Sequence, residues 1–349
     1  MGAMSRRAPW MSVRVCGGLR VTTARTVLGP RDLGGAKSRQ VLLALLVEGG
    51  TPVPKTRLIE TLWGDEPPAG ALSTLEAYVS VLRKRLATAE PGLRPVLTVP
   101  GGYRWDVDAV PVDLVEYGRH VAAAREAGAA GRCPLTDYRA AIDLVEAPLL
   151  PDDVDLPWLR DRAHVHAARV LQVLVEAGRA AAAAGDLERS EAWARRALEL
   201  DPLLESAWVV LLETLERRGQ EAEALREYDA CRTLLAAELG CEPGPRLRGV
   251  FERLLVATSC AADGGLGELV EAVVRLHLAL RDGHGTRPTA LDGFADAGRR
   301  GRAGEALPPV VGQGTSLSED CRRLRELVRA VAGPAERGLT RFTPMATSA

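Results

Sequence analysis

Residues 71–86 constrain the fold of this chain most, because they form an amphipathic helix that begins directly after a stretch that cannot be helical. The apolar residues of this segment step by three or four positions, as on the buried face of an α-helix: Leu72, Leu75, Val79, Leu82 and Leu86. The preceding residues 64–70 contain two glycines and two prolines and therefore form a loop. We expect the helix to lay its leucines on a body made by neighbouring segments.

Three β-rich pieces and two further helices are predicted before this loop. The pieces VRVCG, LRVTTA and RTVLG fall within residues 12–36 and are broken by Gly17-Gly18 and Gly29-Pro30, which predicts a small antiparallel sheet. A first helix is predicted from about Lys37 to Val47, where Glu48-Gly49-Gly50 ends it. A second helix starts with Pro54 in its first turn and ends near Trp63.

A β-hairpin is predicted after the amphipathic helix, with strands at 95–99 and 103–107 around Pro100-Gly101-Gly102. Sheet, three helices and hairpin, in that order, are typical of an α+β winged helix. Its second and third helices form a helix-turn-helix with a long turn, and its hairpin is the wing.

Residues 111–257 have an almost wholly helical pattern with one internal repeat. Gly185 and Gly219 are 34 residues apart, which is the tetratricopeptide period. Small residues follow both glycines at the same two offsets, where helices of a repeat pack closely: Ser190 and Ala224, then Ala197 and Cys231. This pattern predicts an all-α, tetratricopeptide-like helical-repeat domain.

The predicted organisation has four parts. Residues 1–11 are a disordered N-terminus, 12–110 the winged helix, 111–257 the helical repeats, and 258–349 a partly disordered tail. Two helices are predicted in the tail, at Leu266–Leu280 and Ser318–Val331, between Gly-, Arg- and Pro-rich stretches that bury little apolar surface.

Charge differs between these parts although the whole chain has a net charge of −1. Residues 1–110 carry 15 Lys and Arg against 9 Asp and Glu, whereas residues 111–257 carry 18 against 26. A basic N-terminal part suits a polyanionic partner, although solvated charged faces give the same balance by chance.

Motifs that the sequence lacks indicate the cellular location of the protein and argue against an enzyme. The 6 cysteines are scattered without metal-site spacing, and no signal peptide or membrane-length apolar run is present, which favours the cytoplasm and no membrane contact. No phosphate loop, dinucleotide fingerprint, nucleophile elbow or zinc-protease motif occurs. Three acidic residues, Asp152, Asp153 and Asp155, are interpreted as a solvated turn and not a cation site. We therefore expect no catalytic residues, metal or cofactor.

The predicted third helix carries the candidate DNA-reading residues on the face opposite its leucines. Small, hydroxylic and methyl-bearing side chains suit a major groove, and a basic cluster at the C-terminal end suits phosphates. The residues of this face are Ser73, Thr74, Ala77, Tyr78, Ser80, Val81, Arg83, Lys84 and Arg85. An ordinary solvated helix face remains the alternative.

Basic residues near the starts of the first two helices are candidate phosphate contacts, with simple solubility as the alternative. These are Lys37, Arg39, Lys55 and Arg57. Three aromatic residues, Trp63, Tyr103 and Trp105, could stack on bases, but completion of a small core is the favoured interpretation.

These segments together resemble a known family. LGGAKSRQVLLALLVEGG, LIETLWGDEPP, ALSTLEAYVSVLRKRL and VPGGYRWDV are similar to the OmpR-type winged helix. DLPWLRDRA, and then RRALELDPLLESAWVVLLETLERRGQEAEALREYDACRTLLAAELGCEPGPRL, resemble the bacterial transcriptional activation domain. This pair, over about residues 12–257, is similar to the Streptomyces antibiotic regulatory protein family.

The resemblance implies a transcriptional activator of a secondary-metabolite (antibiotic) gene cluster. It implies binding as a dimer to direct repeats near the promoter −35 region. It also implies recruitment of RNA polymerase through the sigma factor and the alpha subunit.

The resemblance also implies which residues of this sequence contact DNA and RNA polymerase. Thr74, Tyr78, Ser80 and Val81 fall at base-facing positions, and Arg83 and Lys84 at backbone contacts. The loop Gly64-Asp65-Glu66-Pro67-Pro68 falls where polymerase is contacted. The wing turn departs from the family because it lacks a basic residue, which puts minor-groove insertion in doubt and leaves Arg94 or Arg104 as phosphate contacts.

Two other functions are compatible with the sequence. A helical-repeat scaffold would use its winged helix to bind protein, and a ligand-responsive regulator would sense a small molecule with its acidic domain.

Overall fold

The structure is a computed structural model that describes residues 11–153 and 155–261, with side chains as far as residue 257. Both helices predicted in the tail lie outside the described residues, and so does the predicted N-terminal disorder up to residue 10. Met11, which was predicted to belong to the disordered N-terminus, is part of the first strand and is buried.

A three-stranded antiparallel sheet opens the fold, as predicted. It consists of β1 (Met11–Arg14), β2 (Arg20–Thr23) and β3 (Val27–Leu28), in that order, with β1 at one edge. Val13 pairs with Val21, and Val21 also pairs with Leu28. The buried side chains of Val13 and Val21 direct one face of this sheet onto the core.

Three helices follow: α1 (Ala36–Val47), α2 (Lys55–Trp63) and α3 (Ala71–Ala89). Helix α3 is the predicted amphipathic helix, and it continues three residues beyond the predicted end. Four of its apolar residues are at most 1% exposed: Leu75, Val79, Leu82 and Leu86. The prediction for Leu72 was wrong, since this side chain is 49% exposed at the start of the helix, one turn before the buried stripe meets the core.

The wing contains one strand more than predicted. The hairpin strands β5 (Val96–Val99) and β6 (Gly102–Trp105) are joined by β4 (Val53–Pro54), which pairs with β6. A strand of two residues that includes a proline has no sequence pattern to reveal it. Its pairing brings the start of α2 against the wing, where the backbone N–H of Lys55 donates to Gly101 O at 2.9 Å.

Aromatic residues complete the core of the winged helix, as predicted. Trp105 is fully buried and donates its indole N–H to Val110 O at 2.9 Å, and Tyr103 is also buried. Trp63 is half-buried against the same core and stacks on Tyr78, with ring centroids 6.3 Å apart.

The remainder of the described chain is an all-α repeat domain, which confirms the predicted class. Its seven α-helices within residues 111–261 are α4 (Asp113–Ala129), α5 (Leu135–Leu144), α6 (Pro157–Ala183), α7 (Leu187–Leu200), α8 (Glu205–Arg217), α9 (Glu221–Leu239) and α10 (Pro245–Ala261).

The 34-residue spacing marks equivalent turns of two helical pairs. Gly185 lies between α6 and α7 and Gly219 between α8 and α9, and both adopt the left-handed conformation that favours glycine, with φ of 84° and 68°. The small residues after each turn are fully buried between helices: Ser190, Ala197, Ala224 and Cys231. The predicted close packing of repeat helices is therefore present.

The winged helix is joined to the repeat domain along the edge of β1 that does not pair with β2. Val13 N–H donates to Pro111 O at 2.9 Å, and Leu150 N–H donates to Val15 O at 2.8 Å. The buried carboxylate of Asp113 accepts from the backbone N–H groups of Val15 and Cys16 at 2.9–3.0 Å. We call these contacts, together with the Arg39–Asp153 ion pair, the interdomain seam.

Asp153 corrects the interpretation of the acidic turn. Its carboxylate is 5% exposed and pairs with Arg39 at 3.0 Å, so this residue belongs to the seam and not to a solvated surface. Sequence position alone gave no sign of a partner 114 residues away.

His166 of α6 is buried next to Cys16 of the interdomain seam, with 3.9 Å between Cys16 Sγ and His166 Nε2. We expect this histidine to make the free energy of unfolding depend on pH. Burial, with Arg169 nearby, lowers the pKa of His166 from its usual 6.5 to about 4. As pH falls, the unfolded chain takes up this proton near pH 6.5, whereas the folded chain resists until about pH 4. Stability is therefore lost on acidification, by roughly 1 kcal/mol between pH 7.5 and 5.5.

Urea unfolding of His166→Gln at the two pH values checks this prediction. The variant should lose this part of the pH dependence, whereas His164→Gln, which removes an exposed histidine two residues away in α6, should retain it. Equal slopes for both variants would contradict the assignment.

Candidate nucleic-acid interface

Helix α3 presents a continuous solvent-exposed face opposite its buried stripe. Of the predicted reading residues, six are exposed: Ser73, Ala77, Ser80, Val81, Lys84 and Arg85. The other three, Thr74, Tyr78 and Arg83, are half-buried along the two flanks of this face. The structure thus brings the predicted set together on one helix, with the small side chains at its centre.

The N-terminal end of the face is organised by its own hydroxyl groups. Helix α3 starts after Gly70, which has a φ of 79°, and the hydroxyls of Ser73 and Thr74 donate to Gly70 O at 2.8 and 3.1 Å. Because their protons are engaged, these oxygens present lone pairs outward. They are therefore suited to accept from a base amino group.

Tyr78 and Val81 lie on one flank of the face, beside α1 and α2. Tyr78 is half-buried by its stacking on Trp63, and Val81 is 40% exposed beside Gly34. Only part of each side chain is available to a partner. The shape of this flank is fixed by packing.

Arg83, which was predicted to contact the DNA backbone, is hydrogen-bonded to the wing. Its guanidinium donates to Val96 O through Nε at 3.1 Å and Nη2 at 2.9 Å, and to Thr98 Oγ1 at 2.7 Å. It also lies over the Tyr103 ring, 5.6 Å from the centroid. Arg83 thus ties the wing to α3, so any contact it makes with phosphate is made by an already engaged guanidinium.

A small basic cleft opens beside Arg83. It has a volume of about 230 Å³ and is lined by Arg83 and Lys84 of α3 and by Arg94 before the wing. Lys84 and Arg94 are exposed. Three cations around a cleft of this size make a local positive potential that suits a phosphate group.

Lys55 and Arg57 lie at the start of α2, beside the wing. Lys55 Nζ lies 2.7 Å from Glu76 Oε1 and 5.6 Å from the Tyr103 centroid, and the hydrogen bond to Glu76 raises the pKa of Lys55. Arg57 is 62% exposed and 3.6 Å from Glu60. Lys55 is placed against α3, where the carboxylate of Glu76 engages it, whereas the side-chain partner of Arg57 lies in α2 itself.

Glu76 was not among the predicted site residues. Its carboxylate is 49% exposed on α3 and pairs with Lys55. A carboxylate on a reading helix can accept from the amino group of cytosine. The available signal was its place in the sequence directly before Ala77, but an acidic residue does not fit the basic and hydroxylic pattern expected of a DNA-binding face.

Lys37 and Arg39, which were predicted as phosphate contacts, both have partners within the protein. Lys37 Nζ donates to Leu62 O at the end of α2 and lies 5.9 Å from the Trp63 centroid. Arg39 is held in the interdomain seam by Asp153. Both charges are used inside the protein to join elements that are distant in sequence.

Arg104 and the wing turn lie at the other end of the interface. Arg104 is half-buried on β6 opposite Leu97, and the turn at Pro100 and Gly101 is exposed. No cationic side chain stands on this turn, in agreement with its sequence.

The loop from Gly64 to Gly70 is exposed at every residue. It connects α2 to the start of α3, so the carboxylates of Asp65 and Glu66 lie beside the reading helix. A protein bound at this loop would be adjacent to whatever α3 contacts.

No cluster of three or more His, Cys, Asp or Glu side chains able to hold a metal occurs within residues 11–153 and 155–261. In the same part of the chain, no helix is both long and apolar enough to cross a bilayer. The thiols of Cys16 and Cys231 are buried, and those of Cys133 and Cys241 are exposed, all unpaired.

Comparison with known proteins agrees with the division of the described chain into a winged helix and a helical-repeat domain. Residues 33–105 match the family described as "Transcriptional regulatory protein, C terminal", and residues 112–255 match the "Bacterial transcriptional activator domain". The regulatory protein DnrI of Streptomyces peucetius is 31% identical over 233 residues, which cover 63% of this chain and 84% of DnrI. The chain belongs to the Streptomyces antibiotic regulatory protein family.

Longer members of the family are also similar. The transcriptional regulatory protein EmbR of Mycobacterium tuberculosis is 32% identical over 65% of this chain, which spans 59% of EmbR. AfsR of Streptomyces coelicolor is 30% identical over 89% of this chain, which spans 29% of AfsR. A solved structure of M. tuberculosis EmbR with a low-affinity phosphopeptide superposes with a TM-score of 0.62 at 26% identity, covering 79% of this chain and 72% of EmbR's. This chain is therefore similar to transcriptional regulators in sequence and in fold.

Proposed function

We propose that this protein is a sequence-specific transcriptional activator of a secondary-metabolite gene cluster. Helix α3 enters the major groove of promoter DNA, and two copies bind as a dimer on direct repeats near the −35 region. The protein acts in the cytoplasm, where the chromosome is accessible to it. It performs no catalysis and needs no cofactor.

One observation carries this proposal: the exposed face of α3 is flanked by a basic cleft and fixed to the wing by Arg83. Such a helix is held rigidly by its leucines while its small side chains remain free of the core. Base contacts are assigned to Ser73, Thr74, Ala77, Ser80 and Val81, with Tyr78 and Glu76 at the flanks. Phosphate contacts are assigned to Lys84, Arg94, Arg57 and Arg104.

Lys84→Ala is the test of the phosphate contacts. The variant should bind a random-sequence duplex about fivefold more weakly, and the slope of log affinity against log salt should become shallower by about one unit. Lys84 suits this test better than Arg83, whose removal would also release the wing. Fluorescence anisotropy titrations at several salt concentrations measure both quantities.

Arg179→Ala, which removes a charge from an exposed position of α6, serves as the matched control and should bind as the parent does. Unchanged affinity and slope for Lys84→Ala would count against the assignment of Lys84 to a phosphate contact.

Selection from a randomised duplex pool tests the sequence specificity of DNA binding. We expect enrichment of duplexes that carry two copies of one short sequence in the same orientation.

Polymerase recruitment is assigned to the exposed loop Gly64–Gly70 and involves the sigma factor and alpha subunit. The double variant Asp65→Asn, Glu66→Gln should bind the selected duplex normally and yet activate transcription less. In vitro transcription with Streptomyces RNA polymerase holoenzyme, from a template with the selected repeats at −35, checks this. Full activation by the variant would remove the loop from the mechanism.

A further inference from the structure

A cleft of about 620 Å³ lies at the junction of the two domains. Val47 and Gly49, at the end of α1, form its winged-helix side, and α4 and α6 form its repeat-domain side. This volume falls in the range of about 300–1,000 Å³ that small-molecule sites occupy. Neither the proposed DNA face nor the polymerase loop uses any of these residues.

The walls of the cleft are mostly aliphatic. Val115 and Val121 of α4 and Val165 and Val173 of α6 line it, and Val165 is 50% exposed. An apolar side chain left open to water in a concave site, as Val165 is, is typical of a small-molecule pocket.

Three arginines of the cleft lining give it a positive bias. Arg125 is paired with Glu176 at 2.9 Å, and Arg162 is paired with Glu48. Arg169, which also lines the cleft, takes part in no ion pair or hydrogen bond within the described part of the chain. Since the two carboxylates neutralise two of the arginines, the charge of Arg169 is left over for an anion.

Tyr117 supplies a second unsatisfied group at the cleft. Its side chain lines the cleft and is 5% exposed, yet its hydroxyl has no hydrogen-bond partner in the described structure. Burial raises the pKa of Tyr117 to about 12, so the phenol keeps its proton. An unpartnered buried donor in the lining of a cleft indicates a place for an acceptor group.

We propose that the cleft binds one small, mainly apolar molecule that carries a single negative charge. Its apolar body packs on the valines of α4 and α6, and its anionic group is held by Arg169. Because Val47 and Gly49 also line the site, the bound molecule touches both domains. Any effect of this ligand on promoter binding rests on the proposed function, but the binding itself does not.

A pair of fluorescent probes separates the charge from the apolar body. 8-Anilinonaphthalene-1-sulfonate carries one negative charge, and N-phenyl-1-naphthylamine has the same aromatic frame without it. The full chain should bind the sulfonate at one saturable site, and the neutral probe about tenfold more weakly. With Arg169→Gln, sulfonate affinity should fall about tenfold while the neutral probe is little affected.

Two glycines of α4 provide a matched pair of blocking and control variants. An added Cβ meets open space at both Gly118, which lines the cleft, and Gly128, which does not. Gly118→Leu should abolish binding of both probes, whereas Gly128→Leu should bind them as the parent does. Both changes put a better helix former in the same helix, so loss of folding does not explain a difference between them.

Binding without DNA decides the proposal, so its failure is distinct from failure of the activator function. Loss of sulfonate binding in Gly118→Leu and a roughly tenfold weaker sulfonate affinity in Arg169→Gln, with parental affinity in Gly128→Leu, support it. Absence of a saturable site on the full chain, or equal sulfonate affinity in Gly118→Leu and Gly128→Leu, overturns it.

Discussion

Gly102→Ala is expected to destabilise the protein by about 3 kcal/mol, the cost of forcing an atom into a packed backbone contact. A Cβ at Gly102 would lie 2.8 Å from the Val53 carbonyl carbon and 3.1 Å from Pro54 Cα, and would overlap the Val53 carbonyl oxygen. Strand β4 would have to separate from β6, because backbone atoms cannot turn aside as a side chain does. The melting temperature and urea midpoint of the full chain measure this loss.

The same substitution should weaken DNA binding by more than loss of stability explains. Strand β4 runs directly into α2, and the wing bears on α3 through Arg83, so displaced strands shift the frame around the reading helix. Gly35→Ala is the control, since an added Cβ there meets no atom within 4 Å and the φ of −71° suits alanine. A Gly102→Ala protein as stable as Gly35→Ala would contradict the close packing of β4 on β6.

Asp113→Ala is expected to cost about 2–4 kcal/mol, because the buried N–H groups that its carboxylate accepts would lose their partner. Val15 and Cys16 donate to it from the far side of the seam, and Leu114 N–H donates at 2.8 Å. Burial raises the pKa of Asp113 while these N–H groups act in the opposite direction. The gain from removing a poorly solvated charge therefore offsets part of the loss, which limits it to this range.

Chemical unfolding monitored by circular dichroism measures this effect. Asp143→Ala removes an exposed carboxylate 3.8 Å from Arg139 in α5 and should change stability by less than about 0.5 kcal/mol. Hydrogen exchange at Val15 and Cys16 gives an independent test, because these amides should exchange faster only in the Asp113 variant. Protected amides in that variant would show that another group satisfies them.

Local patterns in the sequence were sufficient for the three helices of the winged helix, for the helical class of residues 111–257 and for most strands. The spacing of the leucines in α3 and the 34-residue interval between Gly185 and Gly219 are both properties of short range, and the structure agrees with them. The exposed reading face followed from the same periodicity, since residues opposite a buried stripe must face outward.

Contacts between distant segments were beyond the reach of those patterns. Lys37 caps α2 and Arg39 pairs with Asp153, yet in the sequence both are cations near a helix start, indistinguishable from Arg57. Arg83 likewise gave no sign that the wing would occupy its guanidinium. Periodicity identifies which face of a helix is buried but not which partner each charged side chain will find.

The outer edge of β1, which pairs with no other strand of its sheet, has a consequence for producing the DNA-binding domain as a separate fragment. Its backbone groups find partners at Pro111, Asp113 and Leu150, all of which follow the predicted end of the winged helix at residue 110. A fragment that stops there would expose an open strand edge and the apolar side chains around Val15, which is a surface prone to self-association. The isolated DNA-binding half is thus expected to aggregate unless residues up to 150 are kept with it.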